Sequence, residues 1–268
     1  MATISVIIPT YNRANTLKRA IDSVLLQDFD DFELIIVDDC STDGTKGIVE
    51  TYKDSRICYY RCTHNLGASG ARNYGVTKSN GEYIAFHDSD DEWIQGKLTK
   101  QIKYAKQHPE YGLIYGKMDI ICQNERGVFP NSLVLGDLEG DIYQWLLCRN
   151  TIGAPTMFLK KEVFENVGGF DDSLRCLEDW EFAIRISKKY QIGYIDDVLI
   201  RVYSEPGGVS SNLSEYFRVR CMIVAENRDI LQRIGILDEV IIEIFEKANS
   251  VGLLQQVKKM LMLYLQNL

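Results

Sequence analysis

The chain has 268 residues, 46% of them hydrophobic and 25% charged, enough for one large α/β domain with an appendage and for a core that folds without cross-links. A net charge of −8 argues against a nucleic-acid partner, because proteins that bind a phosphate backbone cluster Lys and Arg against it. The seven cysteines are odd in number, scattered and free of any C-x-x-C pair, which fits reduced thiols in a cytoplasmic protein rather than a disulfide framework or a zinc site.

Residues Ile4–Thr10 form a continuous apolar run of strand length. No basic residue precedes it and Pro9 ends it far short of a signal core or a bilayer span, so neither export nor membrane insertion is expected. Residues 14–27 then show helical spacing through Leu17, Ala20, Ile21, Val24 and Leu25. A strand at 32–37, a helix reaching about Lys53, a strand at 57–60, a helix at 68–79 and the strand Tyr83–Phe86 follow. Buried β-branched strands alternating with helices predict a mostly parallel sheet covered on both faces, with ligands bound beyond the carboxyl ends of the strands. The polar clusters at 10–13, 38–41 and 88–91 all stand at such ends, so separate loops are expected to converge on one crevice.

The second half is less regular. Lys97–Gln107 reads as a helix, Tyr111–Cys122 as a strand and 136–140 as a turn-rich stretch. From Ser214 the chain is mainly helical, and Leu253, Leu254, Val257, Met260, Leu261, Tyr264, Leu265 and Leu268 recur at helical spacing. That stripe predicts a helix packed on the domain or on a second subunit. A membrane-surface helix is the alternative, disfavoured because Lys258 and Lys259 are its only basic residues.

Four clusters could carry chemistry. Asp88, Asp90 and Asp91 place three carboxylates within four residues at a strand end, which calls for either full hydration or a hard cation such as Mg²⁺ or Mn²⁺. Asp38 and Asp39 precede a turn in which Ser41 or Asp43 can cap the next helix, and a strand-end carboxylate such as Asp39 can accept a hydrogen bond from a nucleobase or ribose. The run 65–73 is a small-residue entry into a helix, where backbone amides and the Arg72 guanidinium could approach an anion, although Gly67 and Gly70 could equally serve a turn and close packing. Glu178 and Asp179 open a helix, where acids are favoured by the helix dipole in any case. The functional alternative is a general base taking the proton of an attacking hydroxyl.

Taken together, Val6 to Arg13, Val37 to Asp43, Asn65-Leu66-Gly67 with Ala71-Arg72-Asn73, Asp88-Ser89-Asp90-Asp91, Gly168-Gly169-Phe170 and Glu178-Asp179-Trp180 resemble the inverting nucleotide-sugar glycosyltransferases of family 2. The resemblance covers residues 4 to 211. It implies a GT-A fold: a Rossmann-like, mostly parallel sheet flanked by helices. A catalytic domain over 1–213 would divide into a nucleotide-binding half, 1–95, and an acceptor-binding half, 96–213, with 214–268 a helical extension. It also implies that Thr10, Tyr11, Asp39 and Arg72 hold the nucleoside, with Tyr11 against the base and Asp39 on its imide. Asp88 would contact the ribose or the metal, Asp90 would coordinate Mg²⁺ or Mn²⁺ at the diphosphate, Asp179 would be the base and Glu178 would orient the acceptor. A UDP-linked hexose or N-acetylhexosamine donor and a glycan or lipid-linked acceptor at the inner membrane face are the corresponding expectations, in polysaccharide or glycolipid synthesis. One departure stands out. Where an Arg-x-His metal ligand is often found, the chain reads Arg201-Val202-Tyr203, followed by Ser210 and Ser211, so the third protein ligand is unassigned. A sugar nucleotidyltransferase, which would want a glycine-rich basic loop after the first strand, and a binding domain that has lost turnover are the rival readings.

Overall fold

A computed structural model describes residues 2–123, 125–131, 138–204 and 212–266. The first half follows the expected alternation: β1 (Ile4–Thr10), α1 (Leu17–Leu25), β2 (Phe32–Asp38), α2 (Thr45–Glu50), β3 (Ile57–Arg61), α3 (Gly67–Lys78) and β4 (Tyr83–Phe86). β1 pairs in parallel with both β2 and β4, and β2 with β3. The uninterrupted apolar runs are explained by burial on both sides. Ile4, Val6 and Ile8 join a cluster with Leu17, Ile21 and Val24 of α1, whereas Ile7, Ile35 and Val37 point the other way into a second cluster beneath α3. With apolar residues wanted on both faces, no alternation of polarity survives in the sequence.

The second half supplies β5 (Glu92–Trp93), α4 (Lys97–Gln107), β6 (Tyr111–Cys122), β7 (Glu125–Phe129), α5 (Tyr143–Cys148), a single 3₁₀ turn at Ala154–Thr156, β8 (Phe158–Lys160), α6 (Lys161–Val167), α7 (Glu178–Ser187) and β9 (Gln191–Ser204). The sheet runs β3-β2-β1-β4-β8-β6-β9-β5, with β7 paired to β6. β8 is antiparallel to both β4 and β6, while β6 and β9 run parallel to each other. The result is the mostly parallel α/β sheet expected. β5, β8 and β9 were not legible. The first two are two and three residues long, too short for any period, and β9 carries Asp196 and Asp197 at a place where its register with β6 shifts.

The C-terminal region folds as α8 (Leu213–Glu226), α9 (Arg228–Arg233), α10 (Leu237–Ser250) and α11 (Leu254–Gln266). Phe217, Ile223, Leu231, Ile244, Val257 and Leu261 are buried in the same cluster as Trp180 and Phe182 of α7 and Tyr115 of β6, so the apolar stripe of α11 packs inward on the domain. Met262 and Leu263 remain exposed. No described helix is long and apolar enough to cross a membrane, and all seven cysteines are free. Ser210, Ser211, Gly136 and Leu268 lie outside the described residues.

α3 lies close on the sheet because Gly75 leaves room for it. A Cβ there would stand 2.6 Å from Ile7 Cγ2 and 3.2 Å from Val37 Cγ2. Gly75→Val should therefore lower stability by about 1–3 kcal/mol through overpacking, read as a lower urea midpoint at unchanged slope. An unaltered midpoint would show that the helix can lift off the sheet without cost.

Candidate active site

Parallel pairing brings the ends of β1, β2 and β4 to one edge. Asp39 N donates to Thr10 O at 2.8 Å, and His87 N donates to Ile7 O at 3.0 Å. The loops beyond these ends are then tied to one another. Asn12 N donates to Ser41 Oγ at 2.9 Å and Thr42 N to Asn12 Oδ1 at 2.8 Å. Asn12, Cys40 and Leu177 border the crevice with left-handed backbones, at φ of 52°, 69° and 57°, conformations that cost non-glycine residues energy and recur where tertiary structure holds a functional loop.

Within this frame Thr10 is buried with its hydroxyl unpartnered among the described residues, and Tyr11 stands half exposed at the mouth. Asp38 accepts from Ser41 N at 2.7 Å and from the Tyr59 hydroxyl, so it fastens the turn after β2. Asp39 accepts from Leu66 N at 2.6 Å through one oxygen and from Gly67 N at 2.8 Å through the other. It thus anchors the amino end of α3, and each oxygen keeps a further lone pair for a ligand donor. Gly67 has φ 76°, and a Cβ there would meet the Arg175 guanidinium at 2.4 Å. A Cβ at Gly70 would stand 2.8 Å from Leu66 Cβ, so Gly67 answers a backbone need and Gly70 a steric one.

Arg72 is the centre of the arrangement. It is 4% exposed, and its guanidinium donates to Asp88 Oδ1 at 2.7 Å and to Glu178 Oε1 at 2.8 Å. Burial, the largest influence on it, acts to lower its pKa, but Asp88 and Glu178 outweigh that and hold it above its ordinary value. One side chain of α3 therefore joins the acidic end of β4 to the acidic start of α7. Beside Glu178, Asp179 accepts from Ala154 N at 3.2 Å and from Trp180 N at 2.7 Å. Burial first, and the Glu178 charge second, push its carboxyl up to about 7.

Asp90 pairs with Arg13 at 3.2 Å, and its backbone carbonyl accepts from the Arg19 guanidinium. Burial and then the neighbouring Asp88 raise its pKa against Arg13. Asp91 turns inward and accepts from Tyr203 N at 3.1 Å; burial, Asp88 and Asp90 push it up to about 8. Tyr203 itself donates through its hydroxyl to Glu92 at 2.8 Å and carries the Arg19 guanidinium over its ring at 3.7 Å, so it braces the β5–β9 edge. Arg13 and Arg19 were not anticipated as partners of Asp90. Arg19 lies on the polar side of an ordinary amphipathic helix, where no local pattern marks it.

Among the described residues no three His, Cys, Asp or Glu side chains converge as a ready-made metal cluster. The donors present are nevertheless hard carboxylate oxygens at one strand end, and the Asp88 charge is, after burial, an influence that raises Asp90. That set fits a hard cation such as Mg²⁺ or Mn²⁺, which Asp88 and Asp90 would hold.

A family model described as Glycosyl transferase family 2 matches residues 5–168. The chain belongs to glycosyltransferase family 2. The chain is 36% identical over 201 residues to an uncharacterised glycosyltransferase of Rickettsia felis, covering 74% of this chain and 32% of that one, so it spans about a third of that relative's length. It is 34% identical over 189 residues to Escherichia coli WcaA, named for colanic acid biosynthesis, covering 70% and 67%. Its fold matches residues 1–349 of Staphylococcus aureus TarS with a TM-score of 0.64 at 25% identity, over 84% of this chain and 65% of that one. It also matches the mannosyltransferase PcManGT of Pyrobaculum calidifontis, solved with GDP-Man and Mn²⁺, with a TM-score of 0.63 at 20% identity, over 96% and 73%.

Removing the Arg72 cation would strand two carboxylates. Arg72→Met is expected to cost about 3–5 kcal/mol of stability, and Arg72→Lys an intermediate amount, because an ammonium lacks the planar fork that reaches both acids. Chemical denaturation measures both. An Arg72→Met value within about 1 kcal/mol of wild type would count against the bridge as an organising contact.

Proposed function

We propose that the enzyme transfers a glycosyl group from a nucleoside-diphosphate sugar to an acceptor hydroxyl with inversion, using Asp179 as the base. The observation that carries this reading is the Asp88–Arg72–Glu178 bridge, which fastens the acid pair of α7 to the acidic strand end. In this assignment Tyr11 lies against the base, and Thr10 and Asp39 take its polar edge or the ribose. Arg72 borders the nucleoside from α3 while keeping Asp88 in place. Asp88 and Asp90 would hold Mg²⁺ or Mn²⁺, which supplies neutralising charge for the departing diphosphate. Asp179 accepts the acceptor's proton as that oxygen attacks the anomeric carbon from the opposite side. Glu178, fixed by Arg72, orients the acceptor and raises the basicity of its neighbour. A single attack with one base needs no covalent intermediate, unlike the paired-carboxylate retaining route of glycoside hydrolysis.

TarS crystallised with UDP-GlcNAc supports a UDP-linked hexose or N-acetylhexosamine donor. WcaA, together with Bacillus subtilis TuaG, which is named for teichuronic acid biosynthesis and is 45% identical over 106 residues, supports a place in cell-surface polysaccharide synthesis. A glycan or lipid-linked acceptor presented at the cytoplasmic membrane face completes the proposal, with residues 1–95 serving the donor, 96–213 the acceptor and 214–268 packing as an extension.

The test is release of nucleoside diphosphate across a panel of donors with Mn²⁺. Asp179→Asn should cut turnover by about a thousandfold with nucleoside-diphosphate affinity unchanged by calorimetry; near-normal turnover would remove Asp179 as base. Asp90→Ala should weaken donor binding in Mn²⁺ and erase the difference between Mn²⁺ and chelator, an effect that vanishes if the cation sits elsewhere.

The pH profile is a further check. A base with a pKa near 7 is protonated below it, so kcat/KM should fall with unit slope as pH drops through about 7. An acid limb near 4, the ordinary Asp value, would contradict the burial of this carboxyl.

A further inference from the structure

Beneath the Asp88–Asp91 loop lies a buried polar cluster that the proposed chemistry does not use. Lys97 is fully buried and has no ion-pair partner among the described residues. Its Nζ lies 4.0 Å from the centre of the Trp93 ring and donates to Gln101 Oε1 at 2.6 Å, and burial holds its pKa well below the ordinary lysine value. Gln101, also fully buried, donates through Nε2 to Thr156 O at 2.8 Å. Thr156 closes the 3₁₀ turn by donating to Gly153 O through both its amide, at 3.0 Å, and its hydroxyl, at 2.7 Å. The first amide of that turn, Ala154 N, is the one that donates to Asp179 Oδ2.

A lysine with no acid beside it is costly to bury, and an apolar side chain of similar length would pack against Trp93 without that cost. What Lys97 adds is direction. The Thr156 carbonyl can only accept, so Gln101 must present its NH₂ there and its oxygen on the opposite side. Lys97 donates to that oxygen and so holds the amide in the orientation the turn requires. The other edge of the cluster is also held, since Trp93 N donates to Ser23 Oγ at 3.0 Å and the Trp93 ring packs against His87 at a tilt of 35°, with centroids 4.9 Å apart.

We propose that Lys97 and Gln101 are positioning residues that hold the 153–156 turn so that Ala154 N remains on Asp179, coupling the strand-end loop to the base. The proposal rests on the reading of Asp179 as base. The groups that face Asp179 are Glu178 from its own helix, Arg72 from α3, and Cys176 before α7; none is changed by substituting Lys97 or Gln101. Loss of the Ala154 donor removes a contact that favours the carboxylate, so the Asp179 pKa rises.

The experiment compares Lys97→Met, Gln101→Leu and Asp179→Asn in the full chain. For the first two, kcat should fall about tenfold from a loosened base, the acid limb of kcat/KM should move to higher pH, and the affinity for the nucleoside diphosphate with Mn²⁺ should match wild type. Wild-type kcat and an unmoved acid limb in both would overturn the relay, as would a parallel loss of kcat and nucleoside affinity with the acid limb in place. If Lys97→Met does not fold, Gln101→Leu decides alone. Asp179→Asn separates the two failures: if it is inactive while the others behave as wild type, only the relay is wrong, and if it is active the base assignment goes first.

Discussion

A guanidinium with almost no contact with water sets the terms for the rest of this structure. Arg72 points from α3 into the interior, with its guanidinium 5.4 Å from the centre of the Phe170 ring, and a lone cation in such a place would be untenable. Two carboxylates from distant parts of the chain make it tenable, Asp88 at 2.7 Å and Glu178 at 2.8 Å. The three groups are therefore mutually dependent. Both acids are held beside the guanidinium, Glu178 more deeply than Asp88, and α7 is drawn onto the edge of the sheet where the strand-end loops meet. The position of Asp179 follows from that, since it is the next residue on the helix.

The same economy of charge runs through the acidic strand end. Asp90 takes Arg13, Asp88 takes Arg72, and Asp91 withdraws into the interior onto the Tyr203 amide. Asp88 and Asp90 stay nearer the surface beside their arginines, while Asp91 is raised by burial and by both neighbours. Three adjacent acids thus have three different environments. Tyr203, standing where a histidine ligand would be sought, is occupied with Glu92 and Arg19 and works as a brace for the β5–β9 edge.

Much of the first half was legible because its determinants are local. The run Ile4–Thr10, the spacing of Leu17, Ile21 and Val24, and the polar residues that end each strand needed no knowledge of what packs against them. β9 was not legible, because Asp196 and Asp197 interrupt it at an irregularity that depends on Gly116 and Lys117 of β6. β8 was missed because three residues have no period to read. In the site, Asp39, Arg72, Asp88, Asp90, Glu178 and Asp179 could be named as candidates, yet Arg19 could not, since its reason for being there is a backbone carbonyl far along the chain.

Residue order was therefore enough to specify which segments become strands and helices, which loops carry acids, and which family the motifs resemble, because these depend on side-chain period and on neighbours close along the chain. The pairing of Arg72 with Asp88 and Glu178, the engagement of both Asp39 oxygens by the amino end of α3, and the inward turn of Asp91 belong to the folded molecule. Each joins groups separated along the chain, and each is settled by burial: a charge removed from water takes whatever partner the packed elements bring within reach, and no local pattern records which partner that is.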